Sequence, residues 1–113
     1  MHEISLCEGI LEIMAEQASV QGFSKVKRVW VEIGALSCAS PEAMCFCFNA
    51  VMKGTLAEGA VLKLVRVPGR ATCLLCLLDI EIGQYGDLCP NCGSYRLEIN
   101  DGDQLKVREL EVE

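Results

Sequence analysis

A doubled cysteine pattern constrains the fold of this chain more than any other feature. Residues 73–76 and 89–92 both have the form Cys-x-x-Cys, with twelve residues between them. Zn²⁺ favours four thiolates at the corners of a tetrahedron, about 2.3 Å from the metal, and two short knuckles joined by a hairpin supply that geometry. The spacing therefore predicts a zinc site formed by Cys73, Cys76, Cys89 and Cys92. Because four thiolates leave no coordination position for water, the site is expected to be structural and not catalytic.

The same cysteines leave two other chemistries open, a redox-active dithiol and a pair of disulfides. The chain contains 8 cysteines, which would indicate a disulfide scaffold in a small secreted protein. The N-terminus lacks the basic start of a secretory signal, and no apolar run approaches the roughly 20 residues of a membrane helix. We therefore expect a cytoplasmic protein with no membrane contact. A redox motif needs only one Cys-x-x-Cys, placed at a helix start, so the doubled pattern favours zinc.

The charge distribution argues against a zinc ribbon that binds nucleic acid. The net charge is −6, and residues 69–102 contain two arginines against five acidic residues. A zinc tetrathiolate would add two more negative charges, and such a surface repels phosphates. The segment is also too short to build a large core, so zinc is expected to provide much of its stability.

The hydrophobic pattern outside the cysteine segment predicts an α/β fold. Helices are predicted at residues 4–21 and from Pro41 to Gly54, and strands at residues 25–34, 61–67 and 104–112. In the first helix the apolar stripe begins at Ile4, and Ser40 is the expected N-cap of the second helix. The alternation slips between Val107 and Leu110, which predicts a bulge in the last strand.

These elements predict a small mixed three-stranded sheet with two helices and an inserted zinc-ribbon-like module. Residues 1–68 and 103–113 would form a discontinuous α/β domain, and residues 69–102 the cysteine module. Within the module, Leu78, Ile80 and Ile82 alternate before a Gly-rich turn, which predicts a strand of a hairpin.

The only histidine of the chain stands at position two. The Met1 amine, the His2 amide nitrogen and the His2 imidazole can close two fused chelate rings on one metal, and Glu3 can add its amide or its carboxylate. This donor set suits Ni²⁺ or Cu²⁺. Any chain that starts Met-His has the same donors, however, so an accidental histidine stays open on these residues alone.

The other four cysteines point to packing and not to catalysis. Cys7 and Cys47 lie on the apolar stripes of the two predicted helices, where buried cysteine is common. Cys38 and Cys45 have no assigned role, and no nearby histidine exists to activate either as a nucleophile. With no phosphate loop and no serine triad in the sequence, we expect that the protein is not an enzyme.

Taken in order, these motifs resemble the HypA/HybF family of hydrogenase nickel incorporation proteins. The similarity includes the Met-His-Glu start, the strand segment 29–37 and the paired Cys-x-x-Cys motifs, and it covers essentially the whole chain. The resemblance implies that Met1, His2 and Glu3 bind nickel in the α/β domain and that the four paired cysteines bind structural zinc. It also implies delivery of nickel to the large subunit of [NiFe]-hydrogenase, together with the accessory GTPase HypB. Many members carry histidine directly after the second cysteine pair, whereas this chain has Gly93.

Two other functions stay open at this point. One is a zinc-ribbon interaction module without metal delivery, and the other is a thiol oxidoreductase that uses one of the cysteine pairs. The residues alone do not choose nickel over copper, and they leave a homodimer as an alternative to a monomer.

Overall fold

The computed structural model of the protein describes residues 3–37 and 39–113. Its elements are α1 (Glu3–Gln21), β1 (Val26–Gly34), α2 (Pro41–Met52), β2 (Val61–Val67), β3 (Gly69–Cys73), β4 (Asp79–Ile82), β5 (Leu97–Asp101) and β6 (Leu105–Val112). The strands form two three-stranded sheets with the orders β2-β1-β6 and β4-β3-β5. This arrangement confirms the predicted α/β fold with a cysteine module. The predictions for Met1, His2 and Cys38 lie outside the described residues.

The first sheet is mixed, with β1 at its centre. The Glu113 N–H donates to the Lys25 C=O at 2.9 Å, which places the end of β6 beside the start of β1, as in an antiparallel pair. On the other side, the Ala35 N–H donates to the Val67 C=O at 2.8 Å, so β1 and β2 end side by side. A parallel pair of this kind needs a crossover connection, and α2 provides it.

The chain divides into two compact units. The first unit holds the chain up to Val31 together with residues 39–65 and 106–113, and the second holds the segment that begins at Glu32 together with residues 66–105. The sequence-based division at residues 68 and 103 into separately folding domains stays a prediction.

In the first unit α1 packs against α2, and the core of this unit also includes buried side chains of β1. Its fully or almost fully buried side chains include Cys7, Ile10, Met14, Val29, Val31, Met44, Phe48 and Met52. The predicted start of the α1 stripe is wrong, because Ile4 is 52% exposed. The buried stripe runs through Glu3, Cys7, Ile10 and Met14, one residue earlier in the first turn. The side chain of Glu3, and not that of Ile4, therefore faces the interior.

The start of α2 agrees with the sequence. Ser40 is the N-cap in extended conformation, its Oγ accepts a hydrogen bond from the Ala43 N–H at 3.3 Å, and Pro41 begins the helix. The helix ends before Gly54, whose φ is +79°. In the described part of the chain, no helix is both long and apolar enough to cross a membrane.

The second sheet is antiparallel, with β3 between β4 and β5. Its small core contains the buried residues Leu36, Ala71, Cys73, Ile80, Ile82 and Cys89. The burial of Ile80 and Ile82 confirms the predicted alternation, but Leu78 is exposed because β4 begins only at Asp79. This core is small and includes two of the paired cysteines, Cys73 and Cys89. The stability of the second unit therefore depends on the chemical state of those thiols.

Candidate metal centre

The second unit brings the four paired cysteines to one point. Cys73 is the last residue of β3, Cys76 follows in the adjacent turn, and Cys89 and Cys92 lie in the loop between β4 and β5. Their Sγ atoms all lie within 4.8 Å of one another. The Cys73 and Cys92 sulfurs are 3.5 Å apart, and the Cys76 and Cys89 sulfurs are 3.7 Å apart.

These distances bear on one of the chemistries that the sequence left open, the pair of disulfides. A disulfide joins its sulfurs at about 2.05 Å. Four thiolates at about 2.3 Å from a central Zn²⁺ stand about 3.8 Å apart along each edge of the tetrahedron. All four thiols are free, and their separations match the tetrahedron and not the disulfide. The residues present therefore fit a tetrathiolate metal site.

Backbone hydrogen bonds close the first knuckle tightly. The Leu77 N–H donates to the Cys73 C=O at 2.8 Å, and the Cys73 N–H donates to the Leu78 C=O at 2.9 Å. The Cys76 N–H also points at the Cys73 sulfur, with N and Sγ 3.5 Å apart. To close this turn, Leu77 adopts a φ of +64°, and it is the one non-glycine residue in the described ranges with a positive φ.

The second knuckle repeats the same pattern. The Gly93 N–H donates to the Cys89 C=O at 2.8 Å, and the Cys89 N–H donates to the Ser94 C=O at 2.8 Å. Gly93 has a φ of +78°, so it occupies the position that Leu77 occupies in the first knuckle. Both knuckles therefore place a left-handed residue directly after their second cysteine, a position where glycine is free of strain.

The thiols differ in their tendency to lose a proton. The Cys76 N–H is the main cause that lowers the pKa of Cys73 to about 6. In the second knuckle, the Cys92 N–H is the main cause of a lowered Cys89 pKa. The Ser94 N–H favours the Cys92 thiolate, but burial and hydrogen bonds with the neighbouring cysteines raise its pKa to about 12. Four thiolates this close need a cation among them, since their mutual repulsion opposes full ionisation.

The cysteines outside this cluster behave differently. Cys7 is fully buried, and its S–H donates to the Met44 C=O with a sulfur–oxygen distance of 3.7 Å. Burial is the main cause that raises its pKa to about 11. Cys47 is half-buried and Cys45 is exposed. The structure thus agrees with a packing role for Cys7 and places Cys45 in solvent.

Of the three predicted nickel ligands, the structure describes Glu3. Its side chain is buried, with 9% exposure, and its Oε2 accepts a hydrogen bond from the Ser40 N–H at 3.2 Å. Sequence reasoning missed this contact between the starts of α1 and α2. The signal was present, because counting back four residues from Cys7 along the buried stripe reaches Glu3 and not Ile4.

The fold and the thiol cluster define a small metal-binding protein of two compact units, one built on two helices and one on a tetrathiolate centre. The model of one protein family, described as hydrogenase/urease nickel incorporation, metallochaperone, hypA, matches residues 1–112. The chain therefore belongs to the HypA family. This confirms the family resemblance, and it also confirms the expectation of a non-enzyme, because the family consists of metallochaperones.

Individual relatives agree with the family match. The chain is 54% identical to a hydrogenase maturation factor HypA of Azotobacter chroococcum over 113 residues, which is 100% of both chains. It is 53% identical to the protein of the same name from Acidithiobacillus ferrooxidans, again over 100% of both. Among solved structures, it is similar to the solution structure of the Ni metallochaperone HypA from Helicobacter pylori, with a TM-score of 0.75 and 25% identity. That match covers 99% of this chain and 97% of the other.

Proposed function

We propose that this chain is a nickel metallochaperone for [NiFe]-hydrogenase maturation, with its cargo site at the N-terminus and a structural zinc site in the second unit. The proposal is carried by one observation: a chain that matches the nickel-incorporation family over residues 1–112 also gathers four thiols within 4.8 Å. The zinc ligands are Cys73, Cys76, Cys89 and Cys92, and the nickel ligands are Met1, His2 and Glu3.

The role assigned to zinc is structural. The two knuckles would hold the ion with all four thiolates, so no open position is left for a substrate or for water. The bound ion would compensate the charge of the thiolates. It would also join the two knuckles, one of which precedes β4 in the sequence while the other follows it. Because the core of the second unit is small, metal binding and folding of this unit are expected to be coupled.

The role assigned to nickel is that of cargo. The Met1 amine, the His2 amide and the His2 imidazole offer nitrogen donors in fused rings, and Glu3 adds its amide or its carboxylate. Divalent metals generally bind such donors in an order that places Cu²⁺ above Ni²⁺, so selectivity is assigned to metal supply and handover. Delivery would pass nickel to the hydrogenase large subunit, with the GTPase HypB as the accessory partner. Free thiols persist in a reducing compartment, which supports a cytoplasmic location.

Nickel calorimetry on three proteins tests the cargo site. The proteins have the native N-terminus, one extra glycine before Met1, or the substitution His2→Ala. The extension converts the free amine into an amide and keeps every side chain, so it weakens or reshapes the site if the amine is a ligand. His2→Ala removes the imidazole and should abolish tight binding. Zinc content and folding should stay native in both variants, because the buried stripe of α1 begins only at Glu3.

The outcome also separates the proposed function from its alternative. Undiminished nickel binding by His2→Ala contradicts a cargo site at the N-terminus. Absence of tight nickel binding by the native, zinc-loaded protein would favour a zinc-ribbon module that only docks onto a partner. Affinity of the native protein should also fall with acidification, since the imidazole must be neutral to bind and its ordinary pKa is about 6.5.

A further inference from the structure

The second unit exposes more large apolar side chains than its core buries. The buried core of this unit contains three large aliphatic side chains, those of Leu36, Ile80 and Ile82. Six large side chains within three residues of a paired cysteine are between 48% and 80% exposed, and this group is called the leucine patch: Leu74, Leu75, Leu77, Leu78, Leu88 and Tyr95. Single exposed leucines are ordinary, but a group of this size marks an interaction site.

Backbone hydrogen bonds bring the members of the leucine patch together. The Leu74 N–H donates to the Arg96 C=O at 2.8 Å, so the first knuckle lies beside the segment that contains Tyr95. Leu88 joins the same segment, because the N–H of the next residue donates to the C=O of residue 94 at 2.8 Å. The other leucines follow Leu74 within four residues of the chain. The patch therefore lies at the end of the second unit that holds the thiol cluster.

The geometry of a knuckle does not require these leucines. Both knuckles close with the same pattern of backbone hydrogen bonds. Where the first knuckle has four leucines, the second has Pro90, Asn91, Gly93 and Ser94. Since the second knuckle is built without a large apolar side chain at any of these positions, the metal site accounts for the cysteines and not for the leucines.

Backbone strain at Leu77 is an independent indication of function. Leu77 has a φ of +64°, a conformation that disfavours any residue with a Cβ, and its side chain is exposed. Gly93 takes the equivalent position of the second knuckle without strain. Strained backbone that packing does not repay occurs mainly at functional sites. The leucine at this position therefore serves a contact outside the fold of the second unit.

The charge around the patch indicates what kind of partner fits it. Residues 69–102 contain no lysine and have two arginines against five acidic residues. Exposed Asp79 directly follows Leu78, and Asp87 directly precedes Leu88, so acidic side chains border the patch. We infer that the leucine patch is a docking surface for a partner segment whose apolar side chains are flanked by lysine or arginine. This interaction does not depend on the nickel site.

Two other occupants fit the charge less well. A second copy of the chain would bring two acidic modules together, and like charges across an interface oppose association. An anionic lipid surface would repel the same acidic border, because membranes of this kind attract basic segments. A basic amphipathic segment satisfies both features of the surface, since it buries the leucines and places its cations beside the carboxylates.

Peptide binding to the full-length, zinc-loaded chain tests this surface. The probe is a fluorescein-labelled helical peptide with leucines on one face and lysines on the other, and its affinity is measured by fluorescence anisotropy. One matched peptide carries glutamate in place of lysine, and another carries serine in place of leucine. The protein variants are Leu77→Gly and Leu75→Ser in the patch. Phe46→Ser is the control, because Phe46 is 79% exposed on α2. Zinc content is measured for every protein.

The native chain should bind the basic peptide, more weakly as salt is raised, and should bind neither matched peptide. Leu77→Gly and Leu75→Ser should each weaken peptide binding about tenfold, the effect of losing one buried leucine contact. Phe46→Ser should bind as the native chain does. Leu77→Gly should also bind zinc more tightly, because glycine adopts the left-handed conformation without strain. The two affinities therefore change in opposite directions, whereas loss of a purely structural side chain would lower both.

Several results would overturn the docking surface. These are native peptide binding by zinc-loaded Leu77→Gly and Leu75→Ser, an equal loss in Phe46→Ser, or equal binding of the acidic peptide. A dimer that Leu77→Gly dissociates in sedimentation velocity would replace the basic partner by a second copy. Binding to vesicles of phosphatidylcholine and phosphatidylglycerol that is lost in the same variant would replace it by a lipid surface. Leu75→Ser keeps the test decisive if Leu77→Gly does not fold, since Leu75 does not have a positive φ.

Discussion

Replacing Leu77 by glycine should tighten zinc binding, although it removes a side chain from the zinc module. Leu77 closes the first knuckle with a φ of +64°, and its side chain is 74% exposed, so little packing is lost. The left-handed conformation costs a non-glycine residue about 1–2 kcal/mol. Glycine loses about 0.5–1 kcal/mol more than alanine on folding through backbone entropy. The expected net gain is about 0.5–1 kcal/mol, the difference between these two effects.

The reverse substitution in the second knuckle should have the opposite sign. A Cβ added at Gly93 meets no atom within 4 Å, so Gly93→Ala creates backbone strain without a clash. That strain is about 1–2 kcal/mol, and alanine recovers about 0.4–1 kcal/mol by restricting the unfolded chain. The net cost is about 0.5–1 kcal/mol, similar in size to the gain at Leu77.

Competition with a chromophoric chelator at fixed pH measures both effects. Since folding of the module and zinc binding are expected to be coupled, each free-energy change should appear as about a two- to fivefold change in apparent zinc affinity. Leu75→Gly is the matched control, since Leu75 is 67% exposed in the same knuckle and does not have a positive φ. That control should weaken zinc binding. Equal effects of the same sign at Leu77 and Leu75 would refute the argument from backbone strain.

Two further predictions concern the cysteines. Cys73→Ser should lose zinc and unfold residues 69–102 while α1 and α2 persist, as zinc analysis and amide hydrogen exchange would show; a full equivalent of retained zinc would contradict the assigned ligands. In the zinc-loaded protein near pH 9, iodoacetamide should modify exposed Cys45 well before Cys7, whose pKa is raised to about 11 by burial, so that little of the reactive thiolate is present. Equal alkylation rates, followed by peptide mass spectrometry, would contradict a buried Cys7.

Most of the local structure and the four-thiol cluster could be predicted from the sequence because their causes are local. The limits of α1, β1 and β2 follow from hydrophobic periodicity, and the start of α2 follows from the capping chemistry of Ser40 and Pro41. The four-thiol cluster follows from ligand spacing, since two knuckles of this form have few other arrangements that bring their sulfurs together.

Tertiary structure decided which side chains face the interior and which backbone angles the knuckles take. Periodicity alone placed Ile4 in the core, but the buried position belongs to Glu3. The Glu3 carboxylate can accept the hydrogen bond from the Ser40 N–H only after α2 has been brought beside α1. Likewise, nothing local assigns a left-handed conformation to Leu77, and it arises because closing the knuckle on Cys73 demands that turn. The hydrogen bond between residues 37 positions apart depends on the assembled fold, so the local sequence does not specify it. The turn at Leu77 is closed within residues 73–78, but the residue type of Leu77 disfavours the conformation that the turn requires.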